Sequence, residues 1–298
     1  MSFRWKQMLH SKDEQQVRLL YAALLEREPD AKGMSDWLKL TAVERIKGLA
    51  TCREYFLKLM QSGVLTEQLI EELKIDLDPP MAHHAARLDL IQNVLPQATR
   101  VLDLGGGHSS DERGSLLTHG YPYRPKDLHI IDLPPDVRFQ PSGDHMKSLQ
   151  WGGVDICFHY QSMSDLDNFD SNSFDLVWSG ESIEHITREE AHKVFEGVCR
   201  ILVPGGHFCL DTPNRKLTKL HVGEENYIHP EHKVEYYYDE FINEFKEYNL
   251  KINASLGIVH MPESIANESF EIEEYKRNRM LNDDPENSYM FYIDYVKI

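Results

Sequence analysis

Residues 174–212 read FDLVWSGESIEHITREEAHKVFEGVCRILVPGGHFCLDT. An apolar run at 174–179 meets a polar turn, a helix is expected over 188–202, and a second apolar run follows at 206–212. Thr187 and Glu190 have capping-box spacing, which sets the helix start at Thr187. Apolar runs of the same kind lie at 100–104 (RVLDL), 128–133 (LHIIDL) and 154–160 (VDICFHY), with a helix expected over 82–94. Strands that are nearly all apolar are buried on both faces, so they belong to a parallel sheet covered by helices. Two late runs, near 250–260 and at 288–298, can close the sheet with an antiparallel edge. The fold class is therefore α/β, in a domain spanning 82–298.

Ligands of such sheets bind at the carboxyl ends of the strands. Directly after the first strand come Gly105, Gly106 and Gly107, which let the backbone turn sharply and approach a ligand. Asp103 lies just inside that strand end, and Asp132 closes the next strand, where a carboxylate can accept both hydroxyls of a ribose. A dinucleotide fingerprint wants G-x-G-x-x-G, whereas here His108, Ser109 and Ser110 follow the glycines. This weakens a nicotinamide-dependent oxidoreductase as the alternative.

Within 180–186, GESIEHI, the residues Glu181, Glu184 and His185 crowd the end of the 174–179 strand. If this stretch takes one helical turn, their spacings of three and four put them on one face. They can be a metal site, an acid–base group or ordinary surface charge. Beyond the last strand of the opening stretch, 211–241 is rich in His, Tyr and Asn and reads as too polar for core. Asn214, Arg215, His229, His232 and Tyr236–Tyr238 offer donors and aromatic faces to a hydroxyl-rich substrate.

MSDLDNFDSNSFDLVWSGESIEHI with VCRILVPGGHFCLDTPN and the first glycine turn resembles class I S-adenosylmethionine-dependent methyltransferases. The resemblance covers roughly 82–298 and implies a Rossmann-like seven-stranded sheet with a reversed last strand. By it, Asp103, Gly105, Gly106 and Gly107 surround the methionine part of the cofactor and Asp132 holds the ribose. Met163 and Ser164 border the adenine, Asp165 faces its exocyclic amine, and Ser179 and Gly180 floor the sulfonium. The position after Gln161, often acidic in the family, is Ser162. The spacing E-x-x-E-H resembles that of small-RNA 3′-end 2′-O-methyltransferases. It implies a divalent metal on Glu181, Glu184, His185 and His232, the last from HPEHKVEYYYDEF, with His229 a second candidate. Similar stretches occur in quinone-biosynthesis O-methyltransferases, so the pattern does not name RNA. A mixed Glu/His set suits zinc, manganese or iron better than magnesium.

The 298 residues are 41% hydrophobic, enough for a sizeable core, and carry a formal charge of -17. Residues 1–80 hold 12 basic and 13 acidic side chains, and 81–298 hold 20 and 36, so the acidity belongs to the larger part. Such a surface repels phosphate backbones and argues against nucleic-acid partners. The four cysteines are never paired as CxxC and read as buried free thiols of a cytoplasmic protein. No apolar run approaches the ~18 residues of a membrane span.

Residues 1–75 read as a small all-α accessory domain. Val17, Leu20, Tyr21, Leu24 and Leu25 follow the helical period, Met34, Trp37 and Leu38 restart it, and REYFLKLM and LTEQLIEELK continue it. KIDLDPPM at 74–81 reads as a linker. LLYAALLEREPDAKGMSDWL with ATCREYF resembles a bacterial helical domain of unknown function linked to surface-polysaccharide systems, which implies a glycan context. The expectation is an S-adenosylmethionine-dependent O-methyltransferase for a hydroxyl of a saccharide or glycoconjugate. Glu181, Glu184 and His185 are its catalytic candidates. A non-catalytic scaffold in glycan assembly and an RNA 3′-end enzyme remain alternatives.

Overall fold

The structure is a computed structural model that describes residues 17, 31–41, 44, 79–108, 111–134 and 148–298. The chain divides into two compact units, 1–81 and 82–298. In the first, the restart at Met34, Trp37 and Leu38 falls in helix α1, Ala31–Leu38. The other helices expected before residue 74 lie outside the described residues, as does Cys52.

The second unit is built on a nine-stranded sheet, two strands more than expected. In chain order the strands are β1 Arg100–Leu104, β2 Asp127–Asp132, β3 Ser148–Trp151, β4 Val154–Tyr160, β5 Phe174–Gly180, β6 Leu202–Pro213, β7 Leu250–His260, β8 Leu281–Asn282 and β9 Ser288–Lys297. Their spatial order is β3-β4-β2-β1-β5-β6-β9-β7-β8. β4, β2, β1, β5 and β6 pair in parallel, and β9 runs antiparallel between β6 and β7, giving the reversed last strand. The two additions are short edges. Gly152 and Gly153, both at positive φ, turn β3 back on β4, and the two-residue β8 caps β7. Neither has the long apolar run that marks a buried strand.

Helix α2, Pro79–Asn93, begins on the Pro-Pro pair, so the last part of the expected linker is helical. Proline is tolerated in a first turn, where its missing N–H has no partner to lose. Ala86, Leu90 and Ile91 of α2 cover one sheet face, against Val101, Ile130 and Trp178. On the other face lie α3, Arg188–Ile201, and α4, Tyr238–Phe245, packed on Leu102, Ile131 and Val177. Thr187 and Glu190 form the expected capping box at the start of α3, and its apolar stripe runs through Ala191, Val194, Phe195 and Val198. Phe195 stacks on Phe245 of α4 at 4.0 Å between ring centroids. Of the described cysteines only Cys209 is buried; Cys157 and Cys199 are partly exposed, and all three are free thiols. Among the described residues no helix is long and apolar enough to cross a membrane.

Candidate active site

The carboxyl ends of β1, β2, β4, β5 and β6 form one rim. At β1, Gly105 turns the chain at φ +74°, where its N–H still donates to Ile131 O at 2.8 Å. A Cβ there would come within 2.7 Å of the Ser182 Cβ, and one at Gly106 would overlap the Asp103 carboxylate. The loop thus accepts only glycine beside Asp103. Gly106→Ala is expected to lower stability by about 1–3 kcal/mol by overpacking and to displace the Asp103 carboxylate. Denaturant titration checks this, with an unchanged midpoint as the contrary result.

Asp103 is buried, and its Oδ2 has no hydrogen-bond partner among the described residues. Burial raises its pKa from 3.8 to about 7. An orphaned buried carboxylate oxygen beside an open-backbone turn suits a donor or cation on a ligand. Asp132, at the end of β2, accepts from Gly107 N at 2.8 Å and Leu133 N at 2.7 Å. After β4, Ser162 and Ser164 share a hydroxyl hydrogen bond of 2.9 Å, and Met163 reaches toward Gly105. Asp165 is exposed, donating its backbone N–H to Ser162 O.

At β5, Ser179 lies buried, its hydroxyl 2.6 Å from that of Ser182. Gly180 lies against the Trp178 ring, where a Cβ would approach within 2.6 Å. The stretch after it turns once, as a 3₁₀ helix at Ile183–His185. The turn separates the two glutamates. Glu181 sits at φ +48°, a strained position for a side chain with a Cβ, and both its backbone N–H and its carboxylate are tied down. Its N–H donates to Asp211 Oδ1 at 2.8 Å, and its carboxylate pairs with Arg87 and lies 3.5 Å from His83 Nε2. Arg87 also grips Asp211 through Nε at 2.6 Å and Nη2 at 3.2 Å. Burial alone would lower the Arg87 pKa, but Asp211 and Glu181 outweigh it and raise it.

Glu184 is fully buried. Thr212 Oγ1 donates to its Oε2 at 2.9 Å, while Oε1 has no hydrogen-bond partner among the described residues and lies 4.0 Å from His232 Nε2. Burial, then the nearby Glu181 charge, pushes its pKa well above the carboxylate range. The His232 segment docks on this turn through its backbone, with Lys233 and Val234 N–H donating to Glu184 O. His232 Nδ1 contacts Glu235 Oε1 at 2.8 Å. Burial opposes ionisation of Glu235, but hydrogen bonds from His232, Thr218 and Ile228 N hold its pKa below the usual value. Glu235, His232 and Glu184 form a line, with a buried anion orienting an imidazole toward a second carboxyl.

Comparison with known proteins matches residues 131–210 to a methyltransferase domain family. The ubiquinone biosynthesis O-methyltransferase of Xanthomonas axonopodis pv. citri is 31% identical over 138 residues, 46% of this chain and 53% of that one. The sarcosine/dimethylglycine N-methyltransferase of Aphanothece halophytica is 27% identical over 125 residues, 42% and 41% of the two chains. The chain therefore spans about half the length of the curated relatives it matches. In fold it is similar to a chain of the complex between the Haloferax volcanii Trm112 methyltransferase activator and the putative methyltransferase, with a TM-score of 0.50 at 17% identity over 80% of this chain and 93% of that one.

Residues 131–210 match a methyltransferase domain, within a fold similar to that of solved methyltransferase structures.

The strand ends bring Asp103, Gly105–Gly107, Asp132, Met163–Asp165, Ser179 and Gly180 to one rim. Of the four metal candidates, His185 and His232 come together with His229, their ligand atoms within 4.8 Å of one another. Glu184 borders this group through His232, but Glu181 points away, into the Arg87 pair.

The 211–241 stretch is not the open polar loop expected. β6 runs to Pro213, and Asn214 is fully buried, its amide donating to Pro285, Glu286 and Ser288 carbonyls. Arg215 is buried too, capping the carbonyls of Gly223, Glu224 and Asn226, and Tyr236 is core. Polar side chains enter a core when their partners enter with them.

Sequence reasoning missed Arg87, Asp211, Thr212 and Glu235. The available signals were a lone arginine among Ala85, Ala86, Leu88 and Leu90, and an acid ending a strand, as at Asp103 and Asp132.

Proposed function

We propose that this chain is an S-adenosylmethionine-dependent O-methyltransferase, with Glu184 as the proton acceptor for a hydroxyl substrate. When bound, S-adenosylmethionine supplies an electrophilic methyl carbon on a sulfonium. The residues of the rim fit it. Asp103 Oδ2, buried and without a hydrogen-bond partner among the described residues, would hold the amino group of its methionine part, and Asp132 the ribose. Gly105–Gly107 would admit its backbone-side approach, Met163–Asp165 would border the adenine, and Ser179 and Gly180 would floor the sulfonium.

The observation that carries the reading is the Glu184–His232–Glu235 line. A hydroxyl nucleophile must lose a proton as it attacks, and a base in reach supplies about 10²–10⁴-fold. Glu184 Oε1 is buried beside the rim with no hydrogen-bond partner among the described residues. Burial raises its pKa, so the form that accepts the proton grows as pH rises, and Glu235 fixes the His232 ring beside it. The relatives include O- and N-methyltransferases by name, so the acceptor atom is argued from this base. A saccharide or glycoconjugate acceptor fits less well now that Asn214 and Arg215 are committed to the core. His185, His229, His232 and Tyr237 remain for a hydroxyl substrate.

Incubation with methyl-labelled S-adenosylmethionine and separate phenolic, saccharide, RNA and amine acceptors tests the proposal. Label on a hydroxyl compound is the expected result. Label only on amines, or none with the cofactor bound, contradicts it. A second reading rests on the His185–His229–His232 group, which can hold a zinc-like ion that lowers the pKa of a bound hydroxyl. Turnover that survives a strong chelator favours Glu184 as base, and turnover lost to chelator and restored by zinc favours the ion.

Asp103 adds a pH dependence. Because its folded pKa is raised, the unliganded protein binds an extra proton between pH 3.8 and about 7, and this contribution to stability is lost as pH rises through that window. A cationic amino group binds the ionised form, so cofactor affinity is expected to climb with pH toward about 7 and then level off. Calorimetric titration of S-adenosylhomocysteine across pH checks this. In Asp103→Asn the slope should vanish, and an unchanged slope would remove Asp103 from the cofactor site.

A further inference from the structure

We propose that His129, Cys157 and His159 form a zinc site on the sheet face, separate from the rim. Cys157 and His159 alternate on β4 so that both point to one face, and His129 on β2 is the register partner of Cys157. His129 and Cys157 lie roughly 10 Å down the strands from Asp132, three residues at about 3.3 Å each, while His159 is level with Ile131, one residue before it. One ligand atom from each residue lies within 4.8 Å of the others, and His129 Nδ1 is 2.9 Å from His159 Nε2. A tetrahedral zinc with Zn–N of about 2.0 Å and Zn–S of about 2.3 Å wants its ligands roughly 3.5 Å apart. Small side-chain rotations therefore close the site without moving the strands.

The surroundings favour metal over a purely packed pair. Phe169 and Phe174 press edge-on against the His129 ring, at 5.8 and 5.4 Å between centroids, and fix its plane. A cavity of about 420 Å³ opens beside His129 and Cys157, lined also by Asp127, Ser148, Gln150 and Asp155, which gives an ion a way in and lets water supply a fourth ligand. Two nitrogens and one thiolate suit a soft-to-borderline d¹⁰ ion. Binding joins Zn²⁺ to the two ring nitrogens and the sulfur, and the Cys157 thiol releases its proton to solvent; nothing is oxidised or reduced.

Titration of the metal-free full chain with Co²⁺ and Zn²⁺ tests this, because only a thiolate ligand gives a sulfur-to-cobalt charge-transfer band in the near ultraviolet. The band should appear in the wild type and in His229→Ala, which breaks the His185–His229–His232 group, and be absent from Cys157→Ser. His159→Gln keeps the thiol and should weaken zinc binding by at least about 100-fold, beyond the ~10–100-fold typical of losing an outer-shell partner. If Cys157→Ser fails to fold, that affinity loss reads the site alone. No band in the wild type, a band that persists in folded Cys157→Ser, a band lost in His229→Ala, or unchanged zinc affinity in His159→Gln would each overturn the proposal.

Discussion

Arg87→Met should lower the unfolding free energy by about 3–5 kcal/mol, the cost of leaving buried charge without its partner. Arg87 is 5% exposed and holds Asp211, which is fully buried, together with Glu181. Burial raises the Asp211 pKa even with the guanidinium present, so the carboxyl relies on that charge to stay ionised. Urea titration should show a lower midpoint at unchanged slope. The triple variant Arg87→Met, Asp211→Asn, Glu181→Gln should recover part of the loss, because no buried charge is then stranded. Arg87→Met within about 0.5 kcal/mol of wild type would mean that water reaches the network and satisfies it.

Glu184→Gln should reduce turnover by about 10²–10⁴-fold, the usual worth of a positioned base, while cofactor affinity and folding midpoint hold. Glutamine keeps the shape and can still accept the Thr212 hydroxyl hydrogen bond. It also removes an ionisable group from a fully buried position, so the fold has no reason to weaken. Single-turnover rates with saturating cofactor separate the chemical step from binding. Turnover within a few-fold of wild type would make Glu184 a structural acceptor for Thr212 and nothing more.

Much of the sheet was legible because burial writes itself locally. β1, β4 and β7 occupy their expected spans, and Thr187 with Glu190 fixed the start of α3. The rim was legible for the same reason, since glycines and acids that end apolar runs mark strand ends. What the sequence hid depends on contacts between distant segments. Glu181 and Glu184 look equivalent in GESIEHI. They part because Asp211, thirty positions on, captures the Glu181 N–H and Arg87 captures its side chain, at the expense of a left-handed φ. The polarity of Asn214 and Arg215 argued for solvent, yet their partners are carbonyls of the 223–226 turn and of Glu286 and Ser288 at the start of β9, which no local pattern announces. The edge strands β3 and β8 escaped because short, half-exposed strands carry no apolar run.

The central claim is that the rim cradles an adenosyl sulfonium and presents it to Glu184 and His232. A crystal structure with S-adenosylhomocysteine tests it most directly. The account predicts the ligand's amino group on Asp103 Oδ2, its ribose on Asp132 and its sulfur above Ser179 and Gly180, on the side of Glu184. Ligand bound elsewhere, or an ordered rim left empty at saturating ligand, would contradict it.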